Sequence, residues 1–175
     1  MTTTHPHDAV ELTAVWDQHC YAEFVLRDAD AALATMVDQP SVWCLPVGTG
    51  GAGRAAVRRF YAEEFIPSIP TDIDAETISR TIGGDRLVEE AIASFVHDRE
   101  MPWFLPGVAA TGRRLEIPTI TVITFAGAKI AGERLWWDHA AVLDQLGLLP
   151  PGVRASGAAR AASLLRGAAG VTADE

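Results

Sequence analysis

The sequence predicts one α+β domain in which helices come first and a curved, mostly antiparallel sheet follows. Three observations carry this. Over residues 9–27 the apolar side chains Leu12, Trp16, Cys20 and Phe24 recur at fourfold spacing, the mark of a helix stripe. From Ile73 onward the pattern alternates at period two, with short glycine turns between runs. Those later runs are not separated by helices, so they read as a meander rather than a chain of βαβ units. At 175 residues there is room for a single domain. A strongly curved sheet with helices on its concave side would enclose an apolar pocket.

The elements follow in order. Residues 1–8 are expected to be a flexible tail, 9–149 the folded domain, and 150–175 an Ala/Gly-rich extension with at most one weak helix. Asp28 or Asp30 caps a second helix through Ala31, Leu33 and Met36. A short strand at 41–45 runs into Pro46 and the glycine-rich stretch 48–53. A third helix over 54–66 uses Val57, Phe60, Tyr61 and Phe65 as its apolar side, and Pro67 and Pro70 end it. Residues 73–82 and 87–99 form a hairpin about Gly83-Gly84-Asp85. A loop with Pro102, Pro106 and Gly107 leads to a strand over 114–125, a turn at Ala126-Gly127-Ala128, and a last strand, Lys129–Trp137. Asp138 starts a closing helix through Val142, Leu143 and Leu146 that stops at Gly147.

Composition narrows the function classes. Lys and Arg total 14 against 23 Asp and Glu, a net charge of −9, which speaks against nucleic-acid or membrane-surface partners. Thirteen of the 14 cations are arginines, so Lys129 alone is available for Schiff-base chemistry. No apolar run approaches the roughly 18 residues of a membrane span. The start lacks the pattern of a secretory signal, so a cytoplasmic location with Cys20 and Cys44 as reduced thiols is expected.

Several motifs invite chemistry. Gly48-Thr49-Gly50-Gly51-Ala52-Gly53 fits G-x-G-x-x-G, with Asp72 and Asp74 about 20 residues on, where a ribose-binding acid would stand. The antiparallel hairpins that follow do not suit a dinucleotide fold, and the stretch reads as a mobile loop leading into a helix. Asp138 ends a strand and starts a helix, which gives it two readings. It is either an N-cap or, because alternation puts Arg134, Trp136 and Asp138 on one strand face, a pocket carboxylate whose desolvation would suit acid/base work. Glu133, Leu135 and Trp137 then face away. His97 shares a face with Ala93 and Phe95, as a core histidine or a site residue. The histidines and acids lack metal-ligand spacing, so no metal is expected. No G-x-S-x-G nucleophile elbow is present. Trp16, Phe24, Phe60, Tyr61, Trp103 and Trp136 either fill the core or line a pocket for a flat ligand.

A set of ordered stretches resembles the SnoaL-like polyketide cyclases of the nuclear transport factor 2-like superfamily. They are Thr49-Gly50-Gly51 with Gly53, running into Phe60-Tyr61 and Phe65-Ile66-Pro67; Ser79-Arg80-Thr81-Ile82-Gly83 with Phe95 and His97-Asp98; Leu105-Pro106-Gly107-Val108 with Thr111-Gly112; and Trp137-Asp138 with Val142-Leu143 and Gln145-Leu146-Gly147-Leu148-Leu149. The resemblance implies a cone-shaped fold, a curved sheet wrapped on helices around a deep pocket. It also implies a homodimer or homotetramer packed through the outer sheet, and chemistry without metal or organic cofactor.

In that family a late aspartate serves as acid/base in an intramolecular aldol closure, and Asp138 is similar to it. His97 resembles a histidine that relatives carry on the corresponding strand. Cys44, His139 and Arg134 depart from residues common in relatives. The resemblance therefore gives Asp138, His97 and Arg134 as catalytic candidates on a small polyketide-like or aromatic ketone. Trp16, Cys44, Tyr61, Trp103 and Trp136 are the candidate substrate contacts. Two alternatives stand beside it: an Arg134/Asp138 pair similar to that of limonene epoxide hydrolase-like members, and a small-molecule-binding protein without catalysis.

Overall fold

The computed structural model describes residues 9–155, 157 and 160–168. The expected tail at 1–8 lies outside the described residues. Helix α1, Ala9–Cys20, buries Leu12, Trp16 and His19 and continues into a π-helical turn, Tyr21–Leu26, that ends on Arg27 in the left-handed region (φ 53°). Helix α2, Ala29–Ala34, starts at Asp28, whose carboxylate accepts from the backbone N–H groups of Asp30 and Ala31. The first strand, β1 (Met36–Cys44), begins five residues earlier than the pattern of its apolar residues suggests.

The glycine-rich stretch is not a mobile loop. Thr49–Ala52 forms β2, an antiparallel partner of β1. The glycines are there for contact. A Cβ at Gly50 (φ +128°) would stand 2.0 Å from the Val42 carbonyl oxygen, and one at Gly51 would stand 3.0 Å from Ala56. They let β2 lie flush on β1 and let α3, Arg54–Arg59, press against it. Helix α3 runs into a second π turn, Phe60–Phe65, and a 3₁₀ turn, Ile66–Ser68.

Strands β3 (Asp74–Gly83), β4 (Arg86–Val96), β5 (Arg114–Ala126) and β6 (Lys129–Trp137) follow, then α4 (His139–Gln145) and α5 (Ala161–Ala168). The sheet order is β2-β1-β6-β5-β4-β3, with only β1 and β6 parallel. Register shifts in β1, in β3 between Thr77 and Ser79, and between Thr124 and Phe125 of β5 bend the sheet. The result is an open, curved sheet whose concave side receives α1, α3 and their π turns. Leu12, Leu33, Met36, Val57, Leu87 and Ile123 form the solid part of the core between them. On the opposite side, α5 is tied to the sheet by Arg166, which bonds Glu76 and Glu116. No described helix is long and apolar enough to cross a membrane.

Candidate active site

The space between helices and sheet is a cavity of about 540 Å³, within the usual range for small-molecule sites. The helical wall supplies Trp16, Cys20, Glu23, Phe24, Phe60, Tyr61 and Phe65. The sheet supplies Val42 and Cys44 from β1, Arg80 from β3, Glu89, Ala91, Ala93 and Phe95 from β4, Thr119 and Thr121 from β5, and Glu133, Leu135 and Trp137 from β6; Trp103 and Phe104 come from the β4–β5 loop. Rings make up much of the lining. Phe65 and Trp103 meet edge-on at 4.8 Å between centroids, and Phe104 and Trp137 lie 4.9 Å apart.

One end of this apolar space is polar. His19 is fully buried. Its Nδ1 stands 2.7 Å from Thr35 Oγ1 and 3.2 Å from the Ala32 carbonyl, and the Thr35 hydroxyl itself donates to Ala32 O at 2.7 Å. With the Thr35 hydrogen already committed, Nδ1 must donate. Nε2 faces Tyr61 Oη at 3.0 Å, Glu23 Oε1 at 3.1 Å and Glu133 Oε2 at 3.6 Å, so it too needs a proton. Hydrogen-bond accounting therefore makes His19 an imidazolium. Burial opposes that charge, but the carboxylates of Glu23 and Glu133 outweigh it and hold the pKa up to about 10.

The Tyr61 hydroxyl passes the chain on, donating to Glu133 Oε2 at 3.2 Å. Glu23 is treated differently. It is 2% exposed, and its Oε1, though close to Nε2, has no hydrogen-bond partner among the described residues. Burial pushes its carboxyl up, His19 pulls it down, and Glu133 pushes it up again; the net direction is up. Glu23 is thus a buried carboxyl held toward its protonated form beside the imidazole. Both Glu23 and Tyr61 sit on π-helical turns, a rare geometry that recurs at functional sites. His19, Glu23 and Glu133 also offer one atom each, within 4.8 Å of one another, to a cation. Ligation would require Nε2 to give up the proton that the hydrogen bonds assign it.

A second polar feature lies at the sheet wall. Arg80 bonds Asp17 Oδ1 at 2.6 Å and also Glu89, and all three line the cavity. The thiols beside the polar end are inert. Burial, then Glu133, raises Cys44 to about 12, and burial, then Glu23, raises Cys20 well above its ordinary value.

Four of the residues expected from sequence to touch a substrate, Trp16, Cys44, Tyr61 and Trp103, line the cavity. The others do not. Asp138 is exposed and acts as the N-cap of α4, accepting from the Ala141 N–H at 3.0 Å. Arg134 and Trp136 share its outward face, with the guanidinium 5.8 Å from the indole centroid. The faces of β6 are the reverse of the expected ones: Glu133, Leu135 and Trp137 point in, because a parity error of one residue inverts a whole strand. His97 is buried outside the cavity lining. Its Nδ1 accepts from the Thr111 N–H at 3.3 Å, so the proton sits on Nε2, and burial lowers its pKa. From sequence, Glu133 is placed on the face turned away and no site role falls to it or to His19, Glu23, Arg80, Glu89 and Asp17, all of which the structure brings to the cavity or directly behind it. A signal was present where α1 runs into its π turn: His19 and Glu23 are spaced i, i+4, and both are buried, as is Trp16.

No protein-family model matches the sequence, and no curated protein does. Solved structures do match. A protein assigned as a SnoaL-like polyketide cyclase from Jannaschia sp. CCS1 has a TM-score of 0.65 at 18% identity, over 81% of this chain and 94% of that one. A protein with a ketosteroid isomerase-like fold from Catenulispora acidiphila, solved with trimethylamine, has a TM-score of 0.58 at 16% identity, over 77% and 93%. SalBIII, an epoxide hydrolase/cyclase-like enzyme of pyran ring formation in the polyether salinomycin, has 0.57 at 16%, over 75% and 94%. Topology and likeness agree: this chain has the curved-sheet fold seen in a SnoaL-like polyketide cyclase and in proteins of ketosteroid isomerase-like fold.

Proposed function

We propose that the protein is an acid/base enzyme of the cyclase or isomerase kind, acting on a small, largely apolar ketone, with Glu23 as the group that moves the proton. One observation carries the reading: two buried carboxyls, Glu23 and Glu133, line an aromatic cavity with the imidazolium of His19 paired behind them. Deprotonated Glu23 takes a proton alpha to a carbonyl, and the electron pair of the broken C–H bond passes to the carbonyl oxygen as an enolate. In a cyclase, the enolate carbon attacks a second carbonyl of the same molecule, and the new alkoxide takes the proton back from Glu23. In an isomerase, the proton returns to a different carbon. His19 stays charged throughout and offsets the carboxylate beside it. Tyr61 and Glu133 hold that imidazolium in place. Likeness to a SnoaL-like cyclase and to SalBIII supports chemistry of this class.

The test is turnover of a panel of poly-β-ketone and cyclic enone substrates by wild type and Glu23→Gln. The variant keeps the shape of the side chain but not its proton affinity. A folded Glu23→Gln protein, checked by circular dichroism, is expected to lose at least about a hundredfold in rate. Unchanged turnover would remove Glu23 from the chemistry, and tight binding without turnover by the wild type would make the protein a binder.

A second reading is favoured by the Asp17–Arg80–Glu89 group, two carboxylates bridged by a guanidinium on the cavity wall. A carboxylate held in this way can orient water against an epoxide. Loss of epoxide opening in Glu89→Gln but not in Glu23→Gln would select it.

A further inference from the structure

In the buried cluster one N–H faces three oxygens. His19 Nε2 stands 3.0 Å from Tyr61 Oη, 3.1 Å from Glu23 Oε1 and 3.6 Å from Glu133 Oε2. A single N–H aligns with one acceptor, and the Tyr61 hydroxyl fills that role, since its own hydrogen goes to Glu133. Glu23 Oε1 is left without a hydrogen-bond partner, on a side chain that is 2% exposed. An oxygen in that position has lost its water without replacement. One imidazolium against two carboxylates also leaves the cluster one positive charge short of balance when both acids are ionised.

The same groups are set out as ligands. In a metal-bound histidine the ring nitrogen that does not ligate donates to an outer oxygen, which fixes the tautomer and aims the other nitrogen. His19 Nδ1 already does this, toward Thr35 Oγ1 at 2.7 Å and Ala32 O at 3.2 Å, and Nε2 is aimed at the acids. One atom from each of His19, Glu23 and Glu133 lies within 4.8 Å of the other two. Ligands about 2.0–2.2 Å from a four-coordinate zinc stand roughly 3.4 Å apart. The two histidine–acid spacings, 3.1 and 3.6 Å, lie on either side of that figure. Only the two carboxylates have to draw together, and a dication between them removes the repulsion that opposes it. A neutral imidazole and two carboxylates then balance its charge. Tyr61, donating to Glu133, is placed as the outer partner that orients a ligating carboxylate. Three donors, one of them nitrogen, are too few for calcium, which takes about six to eight oxygens, and suit zinc or a similar first-row ion.

We infer that His19 Nε2, Glu23 and Glu133 form a three-ligand site for a first-row divalent cation of the zinc kind. Glu23 and Glu133 both line the cavity, so the remaining position of the ion is open to it. The ion takes the place of the Nε2 proton, and proton and metal compete for one location. The site goes beyond the proposed chemistry and sets a limit on it. A carboxylate bound to the ion is no longer a free base, so the metal-free protein is the form that turns over and the loaded form is inhibited.

The experiment titrates chelator-treated full-length protein with zinc and cobalt(II) chloride by calorimetry at neutral pH. A His5→Ala/His7→Ala background removes two further imidazoles near the N-terminus. One equivalent of Zn2+ is expected to bind with a micromolar or tighter Kd, and Mg2+ and Ca2+ are expected not to compete. Glu23→Gln and Glu133→Gln should each weaken Zn2+ by at least about a hundredfold, more than the loss of an outer partner does. Co2+ reads the unaltered cluster and decides the case should a glutamine variant not fold. The visible bands of four- or five-coordinate cobalt are expected, without the thiolate-to-metal bands that Cys20 or Cys44 would give as ligands. Absence of saturable one-to-one binding, binding untouched by both glutamine variants, an octahedral cobalt spectrum or thiolate bands would overturn the site. On any substrate that the protein turns over, added Zn2+ is expected to inhibit, and activation would overturn the inhibitory role. Binding requires no substrate. Lost turnover in Glu23→Gln without metal binding by the parent would sink this site alone, and metal binding with turnover unchanged in Glu23→Gln would sink the acid/base reading alone.

Discussion

Neutralising both carboxyls of the buried cluster should abolish the loss of stability with rising pH. In the wild type the folded pKa of His19 stands at about 10 against an ordinary 6.5. A group raised in this way adds stability that is fully present below pH 6.5 and is lost as pH rises toward 10. Complete loss corresponds to about 5 kcal/mol, at roughly 1.4 kcal/mol for each tenfold change in proton affinity. Between pH 6.5 and 9 the fall is about 3 kcal/mol, an upper figure because Glu23 and Glu133 share protons with the imidazole. Glu23, itself raised, acts with the same sign.

In Glu23→Gln/Glu133→Gln, burial alone acts on His19, which then stays neutral, and the fall across this window should vanish. The groups facing the cluster do not confuse the result. Cys20, Cys44 and Tyr61 are raised from ordinary values of 9.0, 9.0 and 10.0, so their unfolded forms ionise from about pH 9 and add a similar small fall to both proteins. His97, lowered by burial, changes stability with the opposite sign and only below pH 6.5. Urea unfolding followed by circular dichroism at pH 6.5, 7.5 and 9 measures both proteins. A flat wild-type profile, or an equal fall in the double variant, would refute the assignment of an imidazolium to His19.

The outward Asp138 gives a clean contrast with Glu23. Asp138→Ala should cost about 1 kcal/mol through the lost cap, lowering Tm by about 2–4 °C, and should leave turnover unchanged; lost activity in the folded variant would return Asp138 to the chemistry. Gly50→Ala should break the β1–β2 pairing, because its Cβ would stand 2.0 Å from a backbone oxygen, and is expected to cost more than about 3 kcal/mol or abolish soluble expression; a near-native melting temperature would show that the hairpin yields. Trp43, Ile120 and Trp136 stay exposed on the outer face of β1, β5 and β6, where a second copy of the chain is expected to pack. Sedimentation of Trp136→Glu should show a smaller species than the wild type, and a monomeric wild type would end that expectation.

Fold class was legible because it depends on signals that add up along the chain. The fourfold stripe from Leu12 to Phe24, the caps Asp28 and Asp138, and the glycine turns at Gly84 and Gly127 each act locally and all agree. Strand β2 was hidden for a local reason as well. Glycine is a poor strand former, and what makes Thr49–Ala52 a strand is the closeness of Val42 and Ala56, which no window of sequence contains.

The site failed on parity. On β6 both faces carry one tryptophan and one or two charges: Glu133, Leu135 and Trp137 on one side, Arg134, Trp136 and Asp138 on the other. Hydrophobic alternation cannot choose between two such faces, and the usual rule that charge faces out is broken by the very residue that matters. Glu133 is tolerated inside only because Tyr61 and His19 bond or pair with it, from positions 72 and 114 residues away in sequence. Those partners in turn owe their places to π turns and to the fit of α1 against α2. The same argument applies to Glu23, which reads as one more solvated acid until His19 is seen beneath it. A buried ionisable cluster is written across the chain in residues that each look ordinary, so it becomes visible only when the fold has brought them together. The residue that stood out, Asp138, did so because helix capping and catalysis favour the same amino acid, and its outward turn leaves it the first of those roles.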